Sequence, residues 1–193
     1  YYAGHGMLNQ ELDYYLAAHN NNFFKPEENG IPYQHLEDKL IACKSRKKLL
    51  FLDACHSGEV DTANAIFQNG DVEIGKDIIF RTAGNVSIEQ GESLDAVKAV
   101  FADLKESNGI TVISSAGGAD YAIESDQWEN GAFTYCLTKG LKSGQSDLDA
   151  NGVTTVSDLL LYLQINVPIL THGYQIPTYR TENIDNDFVL WKK

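Results

Sequence analysis

A histidine and a cysteine with the chemistry of a base and a nucleophile stand at two separate points of this chain. Cys55 follows an apolar run in "LLFLDACHSG" and precedes the small residues Ser57 and Gly58. A thiol is weakly ionised near neutral pH, so thiol chemistry needs a base within reach, most often an imidazole. His5 stands between two glycines in "YYAGHG", which predicts a turn whose small neighbours let backbone N–H groups approach a ligand. The two segments together suggest nucleophilic catalysis by a thiol.

Two histidines could serve Cys55 as the base. His56 is adjacent in sequence, and on an extended backbone adjacent side chains point to opposite faces. His5 ends a separate apolar segment and can face Cys55 across the carboxyl edge of a sheet. We therefore predict His5 as the base. Two other roles for Cys55 stay open: an inert core thiol, or a zinc ligand that would need further ligands, which the sequence does not offer at suitable spacing.

Acidic residues near the same sheet edge could recognise a cation. Asp53 lies two residues before Cys55, so on an extended strand both side chains project to one face. A carboxylate beside the reactive centre attracts a cation, and a buried one demands a partner. Asp120, beyond the strand-like "TVISSA", is a second candidate acid. A structural role for Asp53, as a capping or salt-bridged carboxylate, is the alternative.

A further acidic motif occupies residues 147–158, "DLDANGVTTVSD". Its spacing follows the calcium loop of EF-hands, with oxygen ligands available from Asp147, Asp149, Asn151 and Asp158. Thr154 stands where an apolar residue is usual, and aspartate replaces glutamate at the last position. Calcium binding and an ordinary turn before a helix are both compatible with this stretch. No metal or other cofactor is expected in the thiol chemistry itself.

Hydrophobic patterning predicts the elements that position these residues. Apolar runs rich in β-branched residues, and shorter apolar segments, predict strands at 48–53, 109–118, 1–3 and 188–191. Segment 12–17 fits a peripheral strand or a short helix. Apolar residues at helical spacing predict helices at 32–45, 93–107, 131–144 and 155–167. This alternation predicts an α/β fold in which helices cover both faces of a parallel sheet.

Residues 59–90 form a long excursion after the Cys55 strand, rich in glycine, asparagine and acidic residues. Long connections are uncommon in compact domains unless they are functional or mobile. The excursion contains Lys76 and Arg81, so a processing region is one interpretation and a solvent-exposed insertion is the other.

Composition limits the class of protein. A chain of 193 residues with 43 % hydrophobic content fits one domain spanning 1–193. A net charge of -12 argues against nucleic-acid binding, and no apolar run approaches the roughly 18 residues of a membrane helix. Three widely spaced cysteines suggest no disulfide framework, which favours a reducing, cytoplasmic setting.

The motifs "YYAGHG" and "DACHSG" resemble the histidine and cysteine motifs of caspase-like cysteine peptidases, specifically their prokaryotic, metacaspase-like branch. The separation of 50 residues between His5 and Cys55 is also typical of caspases, so it belongs to the resemblance. The segments "GITVISSAGGADYAIES", "WENGAFTYCLTKGL" and "PILTHGYQIPTYRTENIDNDFVL" look like the carboxyl half of bacterial caspase-like domains. The resemblance covers nearly the whole chain outside 59–90.

This resemblance implies a three-layer α-β-α sandwich with a mostly parallel central sheet. It implies that His5 is the general base and acid, and that Cys55 is the nucleophile that forms a thioester. The N–H groups of Gly6 and Cys55 would form the oxyanion hole. The family's sheet has two strands and a helix before the histidine strand, so we expect this chain to be N-terminally incomplete.

By the same resemblance, Asp53 lines a pocket that selects arginine or lysine before the scissile bond, with Ala3 as a neutral part of its wall. The predicted function is a cysteine endopeptidase that acts on proteins or peptides containing basic residues. Two alternatives stay open: a catalytically idle binding or regulatory module with the same fold, and a cysteine acyltransferase or amidase that uses the same dyad. The sequence leaves the oligomeric state open.

Overall fold

The structure is a computed structural model in which five parts of the chain are described: residues 1–56, 78–80, 109–115, 123–181 and 187–192. The predicted helix at 93–107 lies outside the described residues. So does the excursion at 59–90, except for residues 78–80.

The described residues contain eleven strands and three α-helices. The strands are β1 (Tyr2–Leu8), β2 (Tyr14–Leu16), β3 (Ile31–Pro32), β4 (Lys48–His56), β5 (Ile78–Phe80), β6 (Ile110–Ser114), β7 (Ile123–Ser125), β8 (Asn130–Gly131), β9 (Val153–Thr155), β10 (Thr178–Thr181) and β11 (Val189–Lys192). The helices are α1 (Tyr33–Ala42), α2 (Ala132–Ser143) and α3 (Val156–Leu170), and a short 3-10 helix covers Pro26–Glu28.

Six strands form the central sheet, in the order β10-β6-β4-β1-β2-β3. The inner strands β6, β4 and β1 are parallel neighbours. β10 runs antiparallel to β6, and β2 runs antiparallel to β1. Because β3 is in turn antiparallel to β2, it points the same way as the inner strands. Four of the six strands therefore share one direction, and the prediction of an α/β fold with a mostly parallel sheet is confirmed.

Alternate residues of β4 supply two separate hydrophobic cores. Leu50 and Leu52 pack in the core that α1 covers. Leu49 and Phe51 pack against the core formed with α2 and α3. Successive side chains of a strand point to opposite faces of the sheet, so β4 is covered on both sides. The arrangement is the predicted three-layer α-β-α sandwich.

The helices end close to their predicted bounds because local signals mark their ends. Gly144 follows α2 with a φ of 72°, the left-handed conformation in which glycine terminates helices. Thr155 and Asp158 form a capping box at the start of α3. Each of the three helices lies within three residues of its predicted bounds. Within the described residues, no helix combines the length and the apolar character needed to cross a membrane.

Several predicted strands are present, but the strands of the described residues form three sheets and not a single one. Segment 12–17, which fitted a strand or a helix, contains β2. The predicted strand at 188–191 corresponds to β11, which pairs with β9 in a separate two-stranded sheet. β5, inside the 59–90 excursion, joins β7 and β8 in a third sheet. The predicted strand at 109–118 corresponds to β6, and residues 116–118 lie outside the described part.

A buried ion pair connects α1 to the edge strand β10. Arg180 Nη2 donates to Glu37 Oε1 at 3.0 Å, and the two side chains are 15 % and 8 % exposed. Burial raises the pKa of Glu37, and Arg180 opposes that rise. Arg180→Met would leave a buried carboxylate without this cation. We therefore expect the free energy of unfolding, measured with urea at neutral pH, to fall by about 3 kcal/mol.

The loss caused by Arg180→Met should depend on pH in a defined direction. The pKa of Glu37 in the folded chain lies above its unfolded value, so its contribution to stability is complete below the unfolded pKa. That contribution is lost as the pH rises through the folded pKa. Arg180 lowers that folded pKa, so Arg180→Met should raise it further. The variant should therefore lose less stability at about pH 4, where the Glu37 carboxyl is largely protonated, than at about pH 7.

Lys25→Met is the matched control, because it breaks the exposed pair between Lys25 and Glu28. This control should change stability little, since exposed pairs contribute little. Equal losses in the Arg180→Met and Lys25→Met variants would contradict a stabilising role for the buried pair.

Candidate active site

His5 and Cys55 are register partners on two adjacent parallel strands. β1 and β4 pair so that the Cα of His5 lies opposite that of Cys55, and the next position pairs Gly6 with His56. The sequence interpretation placed His5 on a turn and Cys55 just beyond a strand. That interpretation was wrong, because β1 continues to Leu8 and β4 to His56. Pairing with β2 on one side and β4 on the other extends β1 through its glycines.

The His5 ring is half-buried and held by an aromatic neighbour. The ring of Phe23 meets it edge to face, with centroids 5.6 Å apart and planes at 81°. The His5 carbonyl accepts hydrogen bonds from Tyr2 Oη at 2.9 Å and from Ala17 N at 2.8 Å. Both the backbone and the ring of His5 are thus fixed. The side chain of Cys55 lies outside the described part, so the strand register is what places this residue beside His5.

Gly6 is a glycine for a packing reason that the sequence did not reveal. A Cβ at this position would lie 1.7 Å from the hydroxyl oxygen of Tyr14, so no larger residue fits without moving that ring. Ala17, the residue after β2, donates its N–H to the His5 carbonyl. The peptide that follows is trans, so the Gly6 N–H faces the other way, toward β4, with which Gly6 is paired.

Asp53 is fully buried and is contacted from α2. Its side chain has 0 % exposure, and its Oδ2 accepts a hydrogen bond from Thr134 Oγ1. The register partner of Asp53 on β1 is Ala3, which is exposed. Ala3 and His5 are two residues apart on one strand, so they share a face of the sheet. The predicted selector and its predicted wall are therefore adjacent, two register positions along the ladder from His5 and Cys55.

Asp120 lies outside the described residues, but the chain on both sides of it is held together. Gln175 is fully buried. Its Nε2 donates to the Ser115 carbonyl at 2.8 Å, and its Oε1 accepts from the Ile123 N–H at 2.9 Å. One side chain thus links the end of β6 to the start of β7. Sequence reasoning did not single out Gln175.

The acidic motif forms a turn followed by a helix cap. Asp147 and Asp149 accept the Asn151 N–H at 3.1 and 3.2 Å. The carboxylate of Asp158 accepts the Thr155 N–H at 2.9 Å within the capping box of α3. Across the described ranges, no group of three or more His, Cys, Asp and Glu side chains is arranged to hold a metal ion. Calcium binding by this loop stays a prediction.

The other two cysteines differ sharply in exposure. Cys43 follows α1 and is exposed, whereas Cys136 is buried inside α2. Burial raises the pKa of the Cys136 thiol to about 11, so it is almost entirely protonated at neutral pH. Cys136 is therefore a core residue and not a reactive thiol.

Three side chains that sequence reasoning missed surround the predicted residues: Phe23 beside His5, Tyr14 behind Gly6, and Thr134 on Asp53. Each lies far along the chain from the residue it contacts, or on a different element. The only available signal was the position of Thr134 in the first turn of α2. That signal identifies no partner.

An α-β-α sandwich with a histidine and a cysteine in register on neighbouring parallel strands is an arrangement suited to a cysteine-dependent hydrolase. The family model for the caspase domain, peptidase family C14, matches residues 1–189. The chain therefore belongs to the caspase-domain family, and this membership supports cysteine-type peptidase activity in general. No curated protein matches the chain.

Proposed function

We propose that the protein is a cysteine endopeptidase that cleaves after arginine or lysine through a His5/Cys55 dyad. The observation that carries the proposal is the register of β1 and β4, which pairs His5 with Cys55 and Ala3 with Asp53. A base, the backbone of the nucleophile and a buried acid thus fall within three consecutive positions of one strand pair.

In the proposed reaction, the Cys55 thiol gives its proton to the His5 imidazole, and the thiolate attacks the substrate carbonyl carbon. The N–H groups of Gly6 and Cys55 donate to the oxyanion that forms. His5 then returns the proton to the leaving amine, which breaks the C–N bond and leaves a thioester. A water molecule gives a proton to His5 as it attacks the thioester. The C–S bond then breaks, which releases the new carboxyl terminus, and His5 returns the proton to the sulfur, which restores the thiol.

The burial of Asp53 supports selection of a cationic side chain. Asp53 is buried, and its Oδ2 accepts a hydrogen bond from Thr134 Oγ1. A carboxylate at this position would attract a substrate guanidinium or ammonium. Ala3 would form a small neutral wall beside it, and Asp120 is proposed as a second acid near the same pocket.

The expected setting follows from the same chemistry. The nucleophile must stay a reduced thiol, which favours the cytoplasm. Substrates would be proteins or peptides with basic residues, to which a chain of net charge -12 is complementary. The branch of the family that we propose is the prokaryotic, metacaspase-like one, on the strength of Asp53 and of the "YYAGHG" and "DACHSG" motifs.

A panel of fluorogenic peptides that differ only in the residue before the scissile bond tests the proposal. We expect kcat/KM for arginine and lysine to exceed that for aspartate by about 100-fold or more, since a charged site rejects the wrong charge strongly. Preferential cleavage after aspartate would overturn the specificity. Absence of turnover, together with no labelling of Cys55 by an arginine-directed acyloxymethyl ketone, would favour the idle module.

A further inference from the structure

Thr134 links a surface tyrosine to the buried acid of the proposed pocket. Its Oγ1 donates to Asp53 Oδ2, and the hydroxyl of Tyr1 lies within hydrogen-bonding distance of the same Oγ1. Thr134 sits in the first turn of α2 directly after Ala132 and Phe133, both of which are fully buried. The tight packing of these two neighbours fixes the hydroxyl in place.

The direction of these hydrogen bonds is set by the number of protons available. Thr134 has a single hydroxyl proton, which it donates to Asp53 Oδ2. The oxygen of that hydroxyl must then accept from Tyr1. The result is a directed chain, Tyr1 to Thr134 to Asp53, in which each bond strengthens the next.

We propose that Thr134 is the positioning residue for the basic specificity of this peptidase, acting through Asp53. The inference rests on the proposed function, because it assigns how the specificity acid of that function is oriented. With Oδ2 held from α2, the plane of the carboxylate is set before substrate arrives. A pre-oriented acid binds a cation without first losing rotational freedom.

The test compares Thr134→Val, which keeps the shape and removes the hydroxyl, with Thr134→Ser, which keeps the donor. Thr138→Val is the matched control, because Thr138 is exposed one turn further along α2 and its hydroxyl donates to backbone carbonyls of the same helix. The measured quantities are kcat and KM for two peptides that end in arginine or glutamine before the scissile bond.

Thr134→Val should lower kcat/KM for the arginine peptide by about tenfold or more, mainly through KM, with the glutamine peptide little changed. Thr134→Ser should retain most of the arginine preference, and Thr138→Val should retain all of it. Tyr1→Phe, which removes the outer donor, should reduce the same preference by a smaller factor. If Thr134→Val fails to fold, Tyr1→Phe still tests the series of hydrogen bonds from Tyr1 through Thr134 to Asp53.

The inference is overturned if Thr134→Val keeps the arginine preference. It is also overturned if Thr134→Val lowers kcat/KM equally for the arginine and glutamine peptides, as a purely structural role would. It is also overturned if serine behaves like valine. The wild-type protein provides the separate test of the proposed function: a wild type without basic preference defeats both ideas, whereas a basic wild type with unaffected variants defeats only the role of Thr134.

Discussion

Replacing His5 with alanine is expected to lower kcat/KM toward arginine-terminated peptides by about 10³-fold or more. The imidazole is the one base that the strand register sets beside Cys55, and the proposed reaction uses it twice. It accepts the thiol proton and later activates water. The measurement is steady-state hydrolysis of one fluorogenic peptide by the wild type and the variant.

His35→Ala is the matched control for the base, because His35 is exposed on α1, away from β1. It should leave hydrolysis within a small factor of wild type. Thermal unfolding of both variants checks the fold, since His5 also packs against Phe23. A folded His5→Ala chain with nearly full activity would exclude His5 as the base.

Thiol labelling gives the same prediction a second readout. Exposed Cys43 would react with any thiol reagent, so labelling is measured on a Cys43→Ser background. Burial raises the pKa of Cys136 to about 11, so about one thiol in a thousand is ionised there at about pH 8. Cys55 should then be the labelled residue, and His5→Ala should slow its alkylation. Peptide mapping that finds the label on Cys136 would contradict this assignment.

Asp53→Asn is expected to have the second large effect, a fall of about 100-fold or more in kcat/KM for arginine and lysine peptides. Asparagine keeps the shape of the side chain and can still accept from Thr134, but it carries no charge. The variant therefore removes the attraction for a cation with little change in packing. Cleavage of a glutamine-terminated peptide should be nearly unaffected.

The control for Asp53→Asn is Asp38→Asn, an identical change at an exposed position of α1. Asp38→Asn should leave kcat/KM unchanged for both the arginine and the glutamine peptide. Alkylation of Cys55 by iodoacetamide, a small reagent that needs no pocket, should proceed in Asp53→Asn as in the wild type. An equal loss on arginine and glutamine peptides would mean that Asp53 supports the structure and does not select the substrate.

Repeating patterns in the sequence predicted the layers of the fold well. Leu36 and Leu40 of α1 recur at helical spacing, and both pack against the sheet. Unbroken apolar residues along β4 predicted a strand covered on both faces. Leu50 lies in the core on one face, and Leu49 packs against the core on the other. Such patterns are reliable because side chains return to the same face every 3.6 residues in a helix and every 2 residues in a strand. The residues that must be buried therefore recur in the sequence at that spacing.

The bounds of the strands that carry the candidate active site were less predictable. Gly4 and Gly6 suggested a turn, yet both belong to β1, where pairing with two neighbouring strands outweighs their local preference. In the sequence, these two glycines indicated a flexible backbone. In the folded chain, Gly6 is explained by the hydroxyl of Tyr14, which occupies the space of a side chain.

The sequence by itself determined the α/β class, and it predicted His5 and Cys55 as the reactive pair and Asp53 as the acid two residues before the cysteine. These depend on residue type, short spacing and family motifs, which are all local properties of the chain. Only the tertiary structure decided that His5 pairs with Cys55 and Ala3 with Asp53, and that Thr134 holds Asp53 across 81 residues. Strand register and the docking of α2 arise when distant segments are brought together to bury their apolar faces, and no local pattern encodes which hydroxyl then meets which carboxylate.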